Sequence, residues 1–371
     1  MSQSLSRNLS PEEVESFGAE IDALRARVVA DLGERDARYI RNVYKAVRYT
    51  EAIGRLMLMV AWFLPEGWVF PVAAIGAFTL GLSKIIDNME LGHNVIHGQF
   101  DWMGDPYLNG KRFEWDIAGT SDNWRKTHNF RHHTYTNIHG MDEDLGYGVL
   151  RLFPEQKWHP ARLGQPIYAI IFALLFQWGV AIQDLRLGRW FQGRVSNKQM
   201  YKLAHPTLVK VRGLMIRDYL IWPLLAGPGF FVVLAGNAFA NVMRSLWTYT
   251  VIFCGHFTTD VETFPKSVLK NDNRAAWYVR QVRGSSNLTG GFLTHFMTGN
   301  LSHQIEHHLF PDIPANRYVE MAPEVRDICQ RYGQHYNTGS MFKQFGQVIW
   351  RIVRHSFPSS PARPMKARMA K

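Results

Sequence analysis

Eight histidines in three short clusters constrain this chain of 371 residues more than any other feature. Each cluster lies just after or between apolar stretches of membrane length. The clusters are His93 and His97; His128, His132 and His133; and His303, His307 and His308. Imidazoles at these spacings are typical of transition-metal sites. If the three clusters form one metal centre, they must lie on the same side of a membrane, which restricts how often the chain can cross between them.

The composition favours a few membrane helices combined with a large polar part. Hydrophobic residues make up 46% of the chain, and the mean hydropathy of −0.18 is low for a protein that lies mostly in lipid. The net charge of +11 fits basic flanks beside membrane spans and contact with anionic lipid. Because apolar runs accompany an aromatic content of 13%, nucleic acid is not expected as a partner. With only Cys254 and Cys329, neither a disulfide framework nor thiolate ligands are expected.

The apolar runs predict an all-α integral membrane protein with four transmembrane helices in two hairpins and a cytosolic helical cap. The tripeptide Pro65-Glu66-Gly67 joins the first pair of runs, and Gly236-Asn237 is taken as the turn of the second pair. The predicted spans are 47–64, 68–86, 219–235 and 238–255. A polar helical segment precedes them at 1–45, with Ser10 as its N-cap. The membrane domain is expected to cover 46–355, and the basic tail at 356–371 to be disordered.

A fifth apolar run at 165–183 must be assigned differently, because five crossings would separate the third cluster from the first two. Its flanks carry many basic residues, notably over 186–212, which is typical of cytosolic segments. We therefore expect an in-plane or re-entrant helix here, which leaves four true spans. Two arginines fall inside predicted spans: Arg55 is expected to extend toward the membrane surface, and Arg244 to face protein or a cavity.

The spacing within the clusters predicts which side chains bind metal. One turn separates His93 from His97, and Glu90 shares their helical face, where it could bind or orient a histidine. The other two clusters repeat the pattern HxxxHH, in which the last histidine points about 100° away from its neighbour. Such divergent pairs suit two neighbouring metals. Interfacial or helix-packing roles are the alternative for HxxxH alone, but not for two copies of HxxxHH.

Further candidates surround these histidines. His256 ends the fifth apolar run at the depth of the clusters and is expected to be another ligand. His303 is favoured as a ligand over Gln304, because on a helix it would lie one turn before His307. Supporting positions are expected at Glu90, Asn300, Gln304 and Glu306, with a packing role equally open for Asn300. The segment around His139 and 142–144 could either support the metal ligands or form a solvated loop, and we favour the loop.

Eight or nine imidazoles exceed the four to six positions of one ion, so two metals are expected, and the number of ligands favours iron over zinc. The phrases over 88–98, 128–133 and 300–311 resemble the integral-membrane fatty acid desaturases, particularly mycobacterial-type acyl-CoA desaturases acting at Δ9. The likeness extends over roughly 10–355. The second cluster departs from the commoner HxxHH by one residue, and the third offers both His303 and Gln304 where relatives commonly use one of them.

The resemblance implies O2 activation at two iron ions, followed by removal of two hydrogens from a fatty acyl chain, as acyl-CoA, to give a cis double bond. It also implies external electrons from a ferredoxin-type donor and an NAD(P)H reductase, since the sequence has no cytochrome b5 motif, dinucleotide fingerprint or cysteine cluster. The expected location is the plasma membrane with a cytosolic active site. Two alternatives stay open: a di-iron lipid hydroxylase, and a histidine-rich membrane metal transporter.

Overall fold

The computed structural model describes residues 5–359, which form a helical protein with one small parallel sheet. Helix α1 covers Pro11–Ala30 and begins where the sequence predicts. The Ser10 hydroxyl accepts the backbone N–H of Glu13, and the Glu13 carboxylate accepts the backbone N–H of Ser10 in return. This reciprocal capping satisfies two donors that a helix start would otherwise leave free, and it confirms the predicted N-cap.

A first hairpin follows, made of α2 (Glu34–Ala61) and a long α3 (Glu66–Ile96). The predicted domain boundary between residues 45 and 46 is wrong, because it falls inside the uninterrupted α2. The two helices touch through their backbones: a Cβ placed on Gly54 would lie 2.7 Å from the backbone nitrogen of Leu80. This close approach fixes α3, and therefore the histidines at its end, against α2.

The second cluster lies on a short composite helix, α4. It begins as Ser121–Trp124, widens into a π-helical stretch over Arg125–His132 and closes with His133–Tyr135. The end of α3 is also π-helical, over Asp87–His93. Such widened turns are rare and occur frequently at functional sites, and here both carry clustered histidines.

The run at 165–183 forms two helices, α5 (Gln165–Leu174) and α6 (Phe176–Asp184), which are bent by 95°. The predicted single helix is therefore a bent pair of helices, a geometry that a re-entrant segment would have. The bend places the Phe172 ring against Gly179, where an added Cβ would lie 2.2 Å from the ring. A short α7 covers Leu187–Phe191.

The second hairpin turns at a different place from the predicted one. Helix α8 covers Asn197–Ile216 and continues through Arg217–Ile221 and Trp222–Leu225. The chain reverses at Gly227–Gly229, and α9 then extends over Phe230–His256 without a break.

The predicted turn at Gly236-Asn237 is thus wrong, and so are the span limits 219–235 and 238–255. Both residues serve helix packing instead. Gly236 admits Leu58, whose side chain would lie 2.5 Å from an added Cβ, and the Asn237 amide donates to the carbonyl of Asp218. Gly227, at φ +54°, makes the actual turn.

The remaining elements form the polar cap beside the hairpins. Strands β1 (Asn287–Thr289) and β2 (Thr338–Ser340) pair in parallel and are a small departure from the predicted all-α class. The last helix, α14 (Met341–Ser356), includes Ser356, so disorder does not begin at 356 as predicted. Residues 360–371 of the predicted tail lie outside the described residues. The helices of the cap are α10 (Arg274–Arg283), α11 (Phe292–Met297), α12 (Gln304–Leu309), α13 (Tyr318–Arg331) and α14 (Met341–Ser356).

Two helices within residues 5–359 are long and apolar enough to cross a membrane, Glu66–Ile96 and Gly227–His256. The bent pair Pro160–Leu174 and Phe176–Asp184 would add a third if both halves formed one span. Helix α2 and the last part of α8 accompany these two helices as the other arms of the hairpins. The first candidate span ends beside His97 and the second ends at His256, so the fold brings these predicted ligands to one end of the bundle.

Buried charges join the hairpins near this end. The Lys84 amine lies 2.8 Å from Asp116 and 3.0 Å from Asp218, and Arg55 pairs with Asp218 at 3.4 Å. The prediction that Arg55 extends toward the membrane surface is wrong, because its guanidinium is buried against Asp218 and the Trp222 ring. The prediction that Arg244 faces protein or a cavity is confirmed, because the residue is buried and lines a cavity.

Candidate metal centre

Four helical segments converge on one buried cluster of imidazoles. They are the end of α3, the helix α4, the last residue of α9 and the second half of α12. The nitrogens of the first group lie within 4.8 Å of one another, as do those of the second. The first group contains His93, His97, His128 and His307, and the second contains His132, His256 and His308.

His133 lies between the two groups. Its ring stacks on His308 with centroids 4.4 Å apart, and it lies 4.8 Å from both His97 and His307. Neither of its ring nitrogens has a hydrogen-bond partner within the part of the chain that the structure describes. A buried imidazole without partners costs free energy, so its position between the groups is explained best by an ion.

The second group is the tighter one. The Nε2 atom of His256 lies 3.4 Å from that of His132 and 3.1 Å from that of His308. The side-chain amide of Gln304 reaches the same nitrogen at 2.8 Å. Nitrogens that face one another at such distances suit a shared cation at their centre.

Two aspartates hold histidines of different groups. Asp142 lies 3.0 Å from Nδ1 of His132, and Asp144 lies 3.1 Å from Nδ1 of His128. Because a carboxylate accepts, each ring places its proton on Nδ1 and turns the lone pair of Nε2 toward the cluster. The interpretation of 142–144 as a solvated loop is therefore wrong for both aspartates, which are buried.

Other histidines are held at Nδ1 by neutral groups. The Gln281 side-chain oxygen lies 3.0 Å from Nδ1 of His308, and the backbone carbonyl of Gly284 lies 3.3 Å from that of His256. The hydroxyl of Tyr318 lies 3.3 Å from Nδ1 of His307. Among residues 5–359, Nε2 of His97, His128 and His307 is buried and has no hydrogen-bond partner. The donor set therefore fits a metal: the rings are fixed on one side and open on the other.

Burial sets the protonation of these rings. It lowers the pKa values of His128, His133, His307 and His308 well below the ordinary value, and the neighbouring imidazoles lower them further. Neutral imidazole is the form that binds metal. For His132 burial acts in the same direction, but the carboxylates of Asp142 and Asp144 together outweigh it and the pKa is raised.

The structure does not bring His303 to the other histidines. Its backbone, at φ −104° and ψ 57°, lies outside the helix, which begins at Gln304. The argument that placed His303 one turn before His307 is therefore wrong. The His303 ring instead packs on His295 with centroids 4.5 Å apart. Gln304, which was predicted to support the site, lies beside His256.

The other predicted supporting residues lie near the cluster but bind elsewhere. Glu90 is buried and accepts from the Tyr39 hydroxyl at 2.7 Å and the Asn300 amide at 2.9 Å. Asn94 links Glu90 to His93, since its side-chain amide donates to Glu90 at 3.4 Å and its side-chain oxygen lies 3.1 Å from Nδ1 of His93. Glu306 faces away from the histidines and accepts from Tyr336 and Asn287. Burial raises the pKa of Glu306.

A cavity with about 910 Å³ of empty space adjoins the cluster. Four of the histidines face it, and most of its wall is apolar or aromatic. It extends between α3, α6 and α9, where Ser245 and Thr248 lie. The histidines on its wall are His93, His128, His132 and His256. An extended apolar chain would suit this lining, since most of the exposed wall area is apolar.

The sequence of this chain is similar to those of known proteins. The family model for fatty acid desaturases matches residues 66–340. An NADPH-dependent stearoyl-CoA 9-desaturase of Mycobacterium tuberculosis is 42% identical over 95% of this chain and 82% of its own length. An sn-1 linoleoyl-lipid 6-desaturase of Synechocystis is 27% identical over 78% of this chain and 82% of its own length.

Proposed function

The chain belongs to the fatty acid desaturase family, and from that premise we propose that it is a membrane acyl-CoA desaturase that inserts a cis double bond at the 9 position. The observation that carries the proposal is the apolar cavity whose wall includes histidines of both groups. An acyl chain in this cavity would lie with a methylene beside the cluster. The 42% identity to a stearoyl-CoA 9-desaturase supports the substrate class and the position.

We assign iron to the two histidine groups. One ion would be held by His93, His97, His128 and His307, and the other by His132, His256 and His308, with His133 available to either. Iron in these sites supplies the O2 activation that an unactivated C–H bond requires. The balanced reaction removes two hydrogens from the acyl chain and reduces O2 to two waters with two electrons and two protons.

The residues of this chain have separate tasks in that reaction. Asp142 and Asp144 fix the direction of two imidazoles, and the apolar wall of the cavity excludes bulk water from the reacting methylene. The electrons would come from a separate ferredoxin-type donor and its NAD(P)H reductase. The relative named above is NADPH-dependent, which supports that source.

The proposed arrangement in the plasma membrane has four crossings in two hairpins, with the cluster on the cytosolic side. The hairpin tips at Trp62 and Gly229 support it: a Cβ on Gly229 would lie 3.0 Å from that of Trp62, so the tips lie together at the end opposite the histidines. The basic residues over 186–212 lie on the cytosolic side in this arrangement.

Analysis of lipids from cells that express the chain tests the function. The fatty acids are converted to derivatives whose mass spectra report the position of the double bond. We expect a 9-monounsaturated fatty acid to appear. Cells that express His307→Ala provide the control for background. Hydroxy fatty acids in place of the alkene would identify the hydroxylase alternative, and an unsaturated product at another position would overturn the assignment of the 9 position.

A further inference from the structure

An exposed apolar patch lies on the cap beside the candidate spans. It is formed by α11 and α14, and we call it the leaflet patch. Its members are Phe292, Leu293, Phe342, Ile349, Trp350 and Val353, all exposed, with Phe342 at 93%. Contiguous exposed apolar surface of this kind marks a contact with a membrane or a partner.

The small sheet brings the two helices together. Because β1 and β2 are parallel and Thr289 pairs with Ser340, the two strands end at the same edge of the sheet. Phe292 follows β1 and Phe342 follows β2 within three residues, so both aromatic side chains start from one edge. The patch therefore continues from α11 onto α14.

Helix α14 is strongly two-sided. Gln344, Val348 and Ile352 are buried, while Phe342, Ile349 and Val353 face outward on the opposite side. The helix and α11 contain no Asp or Glu, and the exposed Lys343 and Arg354 lie along one border of the apolar stripe. An apolar stripe with a basic border is the pattern of helices that lie in the interface of an anionic membrane.

Contacts with the candidate spans set the depth of the patch. Val348 and Ile352 pack in one core cluster with Tyr249 and Phe253, which lie in the last two turns of α9. On the other side, the Trp247 indole of α9 donates to the carbonyl of Met297, at the end of α11. Both helices are thus fixed to the end of the span that carries His256.

From these positions we infer that α11 and α14 lie in the cytosolic leaflet and bind anionic phospholipid through the leaflet patch. The inference rests on the proposed membrane arrangement of α9. The stripe enters the region between headgroups and acyl chains, roughly 5–10 Å deep for such helices, while Lys343 and Arg354 contact phosphate groups. This surface holds the cap against the bilayer at the side where the acyl chain must arrive.

Fluorescence from single introduced cysteines tests this assignment in the full-length protein. Both native cysteines are buried. Ile349→Cys is labelled with an environment-sensitive dye, and the protein is reconstituted in vesicles of phosphatidylcholine and phosphatidylglycerol. We expect a blue-shifted emission and loss of fluorescence with shallow nitroxide lipids. Asp327→Cys, on an exposed side chain of α13, should instead be quenched by iodide in the water.

A third label separates failure of the inference from failure of the membrane assignment. Phe239→Cys lies on the exposed face of α9 and should be quenched by lipid nitroxides in any arrangement where α9 crosses the bilayer. Lipid quenching at 239 combined with iodide quenching at 349 would overturn the inference and leave the proposed function intact. Disulfide cross-linking of 349 to 349 between chains would overturn it in favour of a second copy.

Discussion

Nδ1 of His132 lies 3.0 Å from a carboxylate oxygen of Asp142, and the same carboxylate accepts the backbone N–H groups of Asn137 and Asp144. Asp142 belongs to the polar segment 142–144, which the sequence alone indicates to be a solvated loop, yet both Asp142 and His132 are buried. The loop therefore determines the direction of Nε2 in His132. Asp144 does the same for His128 in the first group.

Replacing Asp142 by Ala should reduce both iron content and desaturation, by about 10- to 100-fold as for other residues that orient metal-binding histidines. The reason is that His132 loses the acceptor that fixes its tautomer. Iron per chain in the purified protein and product yield measure the effect. Glu143→Gln is the matched control, because Glu143 pairs with Arg131 and Arg186 and contacts no histidine. Equal iron content in both variants would contradict the orienting role.

His303→Ala and His307→Ala should behave differently. The His307 variant removes a member of the first group and should lose nearly all activity, whereas the His303 variant loses only packing on His295 and should retain its iron. Metal analysis and product yield on the same preparations distinguish them. Loss of iron from His303→Ala in a protein that remains folded would restore His303 as a ligand.

Two metals per chain should be found after expression with sufficient iron. The separation of the histidines into two groups supports this number. His256→Ala should then lower the iron content toward one per chain, because it belongs to the second group alone, and this can be measured by elemental analysis. A wild-type protein with one ion, or one fully active with zinc, would reject the assignment.

The sequence predicted the histidine cluster well because spacing on a helix is local information. His128 and His132 do share a face, with rings stacked 5.0 Å apart. What spacing could not give is the partner of each ring, since Asp142, Asp144 and Gln281 come from other segments. The signal for the aspartates was present as two acids close after the second cluster, but a polar loop has the same composition.

The errors in the fold arise from contacts between residues that are distant in the sequence. Gly236-Asn237 has the composition of a turn, yet helix contacts explain both residues. The predicted position of His303 was wrong because the start of α12 depends on tertiary contacts around Asn300, which adopts φ +55°. Arg55 was misplaced because its partner, Asp218, is distant in sequence.

Membrane sidedness can be measured with cysteines at exposed positions. Lys198→Cys, near the start of α8, should react with a membrane-impermeant maleimide only after the cells are opened, because the basic segment around it is cytosolic in the proposed arrangement. Gly67→Cys, at the opposite end of the first hairpin, should react in intact cells. The reverse pattern would overturn the proposed orientation.

Enlarging a side chain in the cavity should shift the preferred acyl length. Ser245 lies on α9, is buried and lines the cavity, so Ser245→Phe would fill part of the space between α3 and α9. We expect a greater loss of activity with long acyl-CoA substrates than with short ones, because a shorter chain ends before the obstruction. Leu246→Phe is the matched control: it makes a similar change at the next residue, whose side chain is 40% exposed on the outer face. Competition between two acyl-CoA lengths in one reaction gives the ratio directly. An unchanged ratio in Ser245→Phe, with iron content and folding intact, would show that the acyl chain does not extend to this part of the cavity.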